Sequence, residues 1–230
     1  MDKSRLEITP QVWLDYRRAI FLEKHGLLAV ADLHLGYAWA QRFNGQMLPF
    51  GGGDRLRERL TDLCSFYKPK AIALLGDIVH EAVPVAELVA DFEALLHALT
   101  EHCATKLILG NHDRKLRSLF DKNKSIEFHS AIRVGQYLLR HGNEAEEAAE
   151  GGVTIMGHEH PAIHLGDGIK GAKFPCFLVS ETVLVLPAFS LWAAGSNVRA
   201  YPFMSETARG AVFKKAIAIC GEKLLPVRLN

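Results

Sequence analysis

Five times along this chain a short apolar run stops at a cluster of groups able to hold a metal ion. Leu27 to Ala31 runs into Asp32-Leu33-His34, and Ala71 to Leu75 into Gly76-Asp77. Leu107 to Leu109 runs into Gly110-Asn111-His112-Asp113; Tyr137 to Leu139, through Arg140, into His141-Gly142; and Val153 to Met156 into Gly157-His158-Glu159-His160. Runs of this length bounded by Gly, Asp or Asn read as buried strands. Ligands of α/β sheets bind outside the carboxyl ends of the strands, so five adjacent strand ends can converge on one small volume. Glycines at 76, 110, 142 and 157 permit sharp turns and close approach there. An i, i+2 pair such as Asp32/His34 or His158/His160 gains from strand alternation, which returns both side chains to one side.

The rest of the chain supplies the frame for those ends. Asp54 to Tyr67 carries Leu56, Leu60 and Leu63 at helical spacing, with Asp54 placed to cap the first turn. Pro84 to His102 carries a stripe of Leu88, Val89, Phe92, Leu95, Leu96 and Leu99, with Pro84 suited to its first turn. Strand and helix therefore alternate from Leu27 to Leu109, which predicts right-handed crossovers and a largely parallel sheet. After a short helical segment from Arg114 to Phe120, strands follow closely, including a hairpin Phe177 to Leu186 that turns near Ser180 and Glu181. A second, more antiparallel sheet packed on the first would use them. Asn143 to Gly152 is acidic and Ala-rich, a helical turn or a mobile loop. With 230 residues, no internal repeat and no linker, the chain is expected to form a single domain over 1–230.

Bulk charge excludes an easy argument. The balance of 27 basic against 26 acidic side chains gives no global case for nucleic acid, so any such case must be local. The four cysteines, Cys64, Cys103, Cys176 and Cys220, are widely scattered, which fits no C-x-x-C motif and no disulfide framework; free thiols are expected. Met1 to Pro10 contains no apolar signal region. Thr182 to Gly195, the most apolar stretch, is interrupted by Pro187 and falls short of the roughly 20 residues needed to cross a bilayer. The expectation is a cytoplasmic protein with no membrane partner.

The donor set mixes carboxylate, one amide oxygen and imidazole without cysteine, which suits two hard or borderline divalent ions, Mn²⁺ first, with Fe²⁺, Zn²⁺ or Mg²⁺ as alternatives, and not a structural zinc. In order, D-x-H, G-D-x-x-(D/H), G-N-H-(D/E), H-G and G-H-x-H are all present between Asp32 and His160. By these motifs the chain resembles the calcineurin-like metallophosphoesterases. The resemblance implies an α/β fold, a four-layer αββα sandwich of two stacked mixed β-sheets flanked by helices. It implies that Asp32, His34 and His160 hold one metal, that Asn111, His141 and His158 hold the other, and that Asp77 bridges them. Two ions about 3.5 to 4 Å apart can hold a bridging hydroxide and clamp the phosphoryl oxygens for in-line attack. His112, on the same turn as Asn111, would then serve as general acid or stabilise phosphoryl charge. Asp113 would orient that turn or His112, or cap the loop.

His80 ends the G-D-x-x-H segment where many relatives carry an acid, which resembles the SbcD-like nuclease branch; it would meet the phosphodiester at the edge of the site, or sit as a solvated loop residue. Ala31 to Gly36, Gly76 to Glu81, and Phe174-Pro175-Cys176-Phe177 followed by Leu184 to Phe189 resemble the small bacterial ligase-associated DNA damage response endonucleases (PdeM). That resemblance implies a phosphodiesterase or nuclease acting on DNA in repair, on single-stranded or flapped substrates, beside a ligase or helicase system, with a homo-oligomer left open. A phosphatase or phosphodiesterase of small phosphoesters or cyclic nucleotides is the alternative. A third reading, a protein-binding module that has lost catalysis, is disfavoured because no ligand and no His112 is missing.

Local support for nucleic acid comes from Arg114, Lys115, Arg117, Lys122 and Lys124, a run of cations broken by Asp121 alone, either a phosphate track or a solvated helix face. Arg55, Arg57 and Arg59 cannot all face one way on a helix. Tyr37, Trp39 and Phe43 can stack on unpaired bases or pack in the core. Glu81, Glu159 and His164 receive no role.

Overall fold

The computed structural model describes residues 3–46, 48, 52–81, 83, 86–116, 127–144, 151–166, 171–200 and 202–229. Two mixed sheets carry the fold. The first contains β1 (Arg5–Thr9), β2 (Val12–Asp15), β3 (Ala19–Leu22), β4 (Leu27–Ala31), β5 (Ala71–Leu75), β6 (Ala104–Ile108) and β7 (Phe128–His129), in that spatial order. Its first four strands pair antiparallel and β4 to β7 pair parallel. The parallel half is the part legible from alternating strands and helices.

The second sheet contains β8 (Ala131–Val134), β9 (Tyr137–Arg140), β10 (Val153–Met156), β11 (Pro161–Gly166), β12 (Gly171–Val179), β13 (Val183–Val185), β14 (Ser196–Asn197), β15 (Lys215–Cys220) and β16 (Lys223–Arg228). Its pairings are antiparallel except that β10 runs parallel to β9 and β13, and β11 to β14. The hairpin from β12 to β13 turns where expected, with the Ser180 hydroxyl accepting from Val183 N at 2.8 Å.

Alternation explains why β4 and β5 read as unbroken apolar runs: both faces are buried. Leu28, Val30, Ile72 and Leu74 face the helices α2 (Gly52–Tyr67) and α3 (Ala86–Thr100), which follow the short α1 (Tyr37–Phe43), and pack against Leu60, Leu63, Phe92, Leu95 and Leu99. Ala29, Ala31, Ala73 and Leu75 face the other sheet, against Leu139, Ile155, Phe177 and Leu186. A third cluster of Ile163, Leu178, Val185 and Ala216 lies on the second sheet under the short helix Glu206–Gly210. Truncating a fully buried leucine such as Leu60 to Ala would cost about 2–5 kcal/mol.

One expectation is revised and others fall wholly or partly outside the described residues. Helix α2 begins before Asp54, which lies within its first turn and pairs with Arg57 at 2.6 Å; its charge still favours that end of the helix. Helix α3 begins at Ala86, and Pro84 lies outside the described residues. The segment after Asn111 forms a short 3₁₀ turn, His112–Lys115, while 117–126 lie outside the described residues, as do 145–150 of the acidic stretch. The four cysteines are free, and among the described residues no helix is long and apolar enough to cross a membrane.

Candidate metal centre

The five strand ends meet, but as three from one sheet and two from the other. β4, β5 and β6 are parallel neighbours and deliver Asp32 and His34, Asp77, and Asn111; β9 and β10, parallel neighbours in the second sheet, deliver His141, and His158 and His160. Backbone bonds continue past the strand ends and fix the loops: Asp32 N donates to Gly76 O at 3.2 Å, His34 N to Asp77 O at 2.9 Å, Gly76 N to Ile108 O at 2.9 Å and Gly157 N to His141 O at 3.0 Å.

The paired donors converge for a different reason from strand alternation. Asp32, His34, Asp77, His158 and His160 have φ of 55°, 48°, 44°, 70° and 44°. Left-handed backbone at a non-glycine residue costs of order 1–3 kcal/mol and persists where the surroundings over-determine it. Each chain thus leaves its strand in a tight left-handed turn that swings the side chain inward. Gly110 is needed because a Cβ there would run into the Asp77 carboxylate and backbone nitrogen.

The side chains then crowd lone pair against lone pair. His141 Nδ1 lies 3.2 Å from the Leu75 carbonyl. That oxygen can only accept, so the proton sits on Nδ1 and Nε2 presents a lone pair. Facing Nε2 are Asn111 Oδ1 at 3.0 Å, His158 Nδ1 at 3.1 Å and Asp77 Oδ1 at 3.4 Å. Nearby, His34 Nε2 and His160 Nε2 stand 3.2 Å apart. Such clusters repel unless a cation lies among them, so the donor set fits divalent metal. Two triads, His34/Asp77/His160 and Asp32/Asp77/His141, each bring ligand atoms within 4.8 Å, and Asp77 belongs to both. Asp32 Oδ1 stands between the two sides, 3.6 Å from His160 Nε2 and 3.4 Å from His141 Nδ1, while its carboxylate accepts from His158 N at 3.0 and 3.1 Å.

Electrostatics favour the ligating forms of His34, His158 and Asp32. Burial pushes the His34 imidazole down to about 3, so it is neutral with a lone pair to offer. Burial and then the neighbouring His141 lower His158 as well. Burial opposes the charged forms of Asp32 and His160, yet their mutual attraction prevails, holding the carboxyl below its ordinary range and the imidazole above its own. A cation bound there would displace that proton.

Around the cluster the structure separates three residues grouped as catalytic in sequence. His112 is exposed and stacks on His80 with centroids 5.6 Å apart; its Nδ1 donates to His80 O at 2.6 Å, which leaves Nε2 pointing toward Asp77 Oδ2 at 3.8 Å. His80 is half-buried, its Nδ1 3.4 Å from His34 Nδ1, with burial and then His112 lowering its basicity. Asp113 is fully buried and does not face the cluster. Its carboxylate accepts from Gly110 N at 2.8 Å, Val79 N at 3.1 Å and Ile78 N at 3.2 Å, clamping the loop after β5 to the turn after β6. Burial pushes it up to about 6 against those three bonds.

Sequence reasoning missed other supports. Glu159, given no role, is buried and accepts from Met204 N and Ser205 N, both at 2.8 Å. Arg18 donates to Ala188 O at 2.8 Å and Ser190 O at 2.6 Å, and Arg59 to Phe189 O at 2.8 Å, while Phe189 N and Ser190 N donate to Ala31 O and Asp32 O. Two arginines thus hold the 188–190 segment against the first metal motif. Trp39 bonds Asp91 through its indole N–H at 3.0 Å, and Phe43 is exposed. Of the basic run, Arg117, Lys122 and Lys124 and the side chains of Arg114 and Lys115 lie outside the described residues. Hollows of about 620 Å³, lined in part by His34, and about 440 Å³, lined in part by Asn111 and His141, adjoin the centre.

Residues 26–178 match a family model described as calcineurin-like phosphoesterase. Among solved structures the chain is similar to the crystal structure of Pseudomonas putida nuclease MPE, with a TM-score of 0.71 and 22% identity over 97% of this chain and 98% of that one, a likeness of fold. A protein of unknown function from Aquifex aeolicus, AQ665, gives a TM-score of 0.37 and 17% identity over 57% of this chain and 77% of that one, too slight to bear on the fold. No curated protein sequence matches.

Proposed function

This chain belongs to the calcineurin-like phosphoesterases, metal-dependent enzymes, and from that premise we propose that it is a phosphodiesterase that cleaves DNA, a nuclease. The observation that carries the reading is the lone-pair cluster centred on Asp77, whose carboxylate belongs to both triads. Asp32, His34 and His160 on one side, Asn111, His141 and His158 on the other, and Asp77 between would hold two divalent ions, Mn²⁺ in the first instance; bound there, they would supply charge neutralisation on the phosphoryl group and an acidified water.

The chain's own groups do the rest. Because Nδ1–H of His112 is committed to the His80 carbonyl, Nε2 is the atom that faces the substrate, and as general acid His112 would act from its imidazolium form, giving the Nε2 proton to the ester oxygen as the P–O bond breaks and water adds in line on the opposite side. Asp113 keeps the turn that carries Asn111 and His112 in register with Asp77. A polymer substrate is supported by hollows adjoining both sides of the centre and, as a likeness only, by the nuclease title of the Pseudomonas putida neighbour. From the resemblance of its motifs to the ligase-associated endonucleases we assign the reaction to cytoplasmic DNA repair, on single-stranded or flapped ends, beside a ligase or helicase.

The test is a cleavage panel of single-stranded, duplex and flapped DNA together with p-nitrophenyl phosphate and bis-p-nitrophenyl phosphate, run with Mn²⁺, Mg²⁺, Zn²⁺ or chelator. Cleavage of DNA and the diester, abolished by chelator, is expected. Hydrolysis confined to the monoester would replace the nuclease reading with a phosphatase.

A further inference from the structure

The larger hollow shares His34 with the metal cluster and is walled by the turn into α1, by the start of α2 and by the 190–192 segment. Trp192 and Tyr37 line it, their rings 5.5 Å apart and only 13° from parallel, and Trp192 is 40% exposed. Tyr37 in turn packs on His80 at 4.6 Å, and His80 stacks on His112. A continuous row of rings therefore leads from the centre into the hollow. Exposed aromatic surface costs free energy in water, and here the backbone holds it in place. Trp192 N donates to the Ser190 hydroxyl. Ser190 N donates to Asp32 O, and Tyr37 N to His34 O. Both rings are thus tied through the backbone to two candidate ligands.

Charge on the same walls is lopsided. Arg18, Arg55 and Arg59 cluster behind and beside the 188–192 segment, and none of the three has an ion pair among the described residues. Two are occupied by backbone carbonyls, whereas Arg55 has no hydrogen-bond partner there. The acids of the hollow are engaged, Asp54 with Arg57 and Asp91 with the Trp39 indole. A flat apolar ring stack beside an unpaired guanidinium and a phosphoester centre matches one occupant, a nucleotide.

Resting on the nuclease reading above, we propose that this hollow is a nucleotide subsite in which a base flanking the scissile phosphate of single-stranded DNA stacks on the Trp192–Tyr37 pair while Arg55 takes a neighbouring backbone phosphate. Stacking of a base on an aromatic side chain is worth enough to change affinity by roughly 5- to 150-fold. The small diester should need none of it.

Trp192→Ala, Trp192→Phe and Arg55→Gln are compared with the unaltered enzyme on an oligo-dT strand, on a strand of equal length with abasic residues, and on methyl p-nitrophenyl phosphate, with tryptophan fluorescence to follow binding directly. Trp192→Ala should raise KM for oligo-dT by at least about fivefold and leave the abasic strand and the small diester unchanged; Trp192→Phe should restore most of the loss and shrink the fluorescence quench, with Trp39 of the same hollow left to report the remainder. Arg55→Gln should lower the log-log salt slope of binding by about 0.7. If Trp192→Ala binds and cleaves oligo-dT as the unaltered enzyme does, or if the quench in Trp192→Phe is as large as in the unaltered enzyme, the subsite is refuted and the nuclease reading stands. If the unaltered enzyme neither binds nor cleaves either strand yet hydrolyses the small diester, the nuclease reading falls and takes the subsite with it.

Discussion

Asp77 is the residue on which both halves of the centre depend, since each triad of potential ligands includes it. Asp77→Ala is expected to lose both ions and activity toward every substrate; the check is metal content of the purified variant, and retention of two equivalents would remove the bridging assignment. His112 makes the contrasting case, because its backbone N–H donates to Asp77 Oδ1 at 3.1 Å while its imidazole comes no nearer to that carboxylate than 3.8 Å. His112→Ala should keep its metals and lose about 10²- to 10⁴-fold in turnover on diesters with poor leaving groups, the usual worth of general acid assistance. With p-nitrophenolate as leaving group the defect should shrink, and an equal loss on both would assign His112 to the phosphoryl charge instead. The structure brings together the side chains of the seven candidate ligands, and all seven were nominated from residue type and place. Glu159 was not: it stands between two of those histidines as a third carboxylate donor would, and only its burial under Met204 and Ser205 reveals a structural bond. Nor was Trp192, whose importance arises from a segment held by arginines distant in sequence.

At the scale of elements, legibility followed burial. β4 and β5 announce themselves because both faces are covered, so every side chain is apolar. β1 at an edge of one sheet and β16 at an edge of the other were passed over, since an edge strand with one wet face mixes charged and apolar residues and leaves a weak pattern, as Arg-Leu-Glu-Ile-Thr in β1 does; β2 and β15, paired on both sides and largely buried, were passed over as well. The i, i+2 argument drew Asp32, His34, His158 and His160 into one cluster, but left-handed turns and not strand alternation aim them, and His158 faces His141 while His160 faces His34. The contact between the ends of β5 and β6 gives an element-level prediction. A methyl group at Gly110 would press on the Asp77 carboxylate and backbone, so Gly110→Ala must part the two loops that Asp113 clamps. Overpacking of this kind typically costs about 1–3 kcal/mol, measurable by urea denaturation, with metal affinity falling alongside. A variant as stable and as metal-replete as the parent would mean that the two strand ends are looser than the close approach implies.

Taken whole, the molecule assembles its centre by packing two sheets so that parallel strands from each end at the same place, and the sequence, which orders the five ends along one line, cannot state that three belong to one sheet and two to the other. The consequence is that the centre joins the two layers. Without a cation, the buried carboxylates of Asp32 and Asp77 and a crowd of imidazole lone pairs must share one pocket, and five of those residues sit in a costly backbone conformation. Metal binds the folded arrangement and not the unfolded chain, so it should stabilise the whole molecule by mass action, by about 2.7 kcal/mol at free metal a hundredfold above Kd. For a chain of this length that corresponds to a rise in Tm of roughly 5–10 °C. The expected result is a Tm that rises with added Mn²⁺ and falls on chelation in the parent, and that responds to neither in Asp77→Ala. Because the centre spans both sheets, the two should melt together in the metal-bound parent. A Tm indifferent to metal and chelator in the parent would show that the cluster holds no ion of consequence to the fold, and the same response in Asp77→Ala as in the parent would place the binding elsewhere.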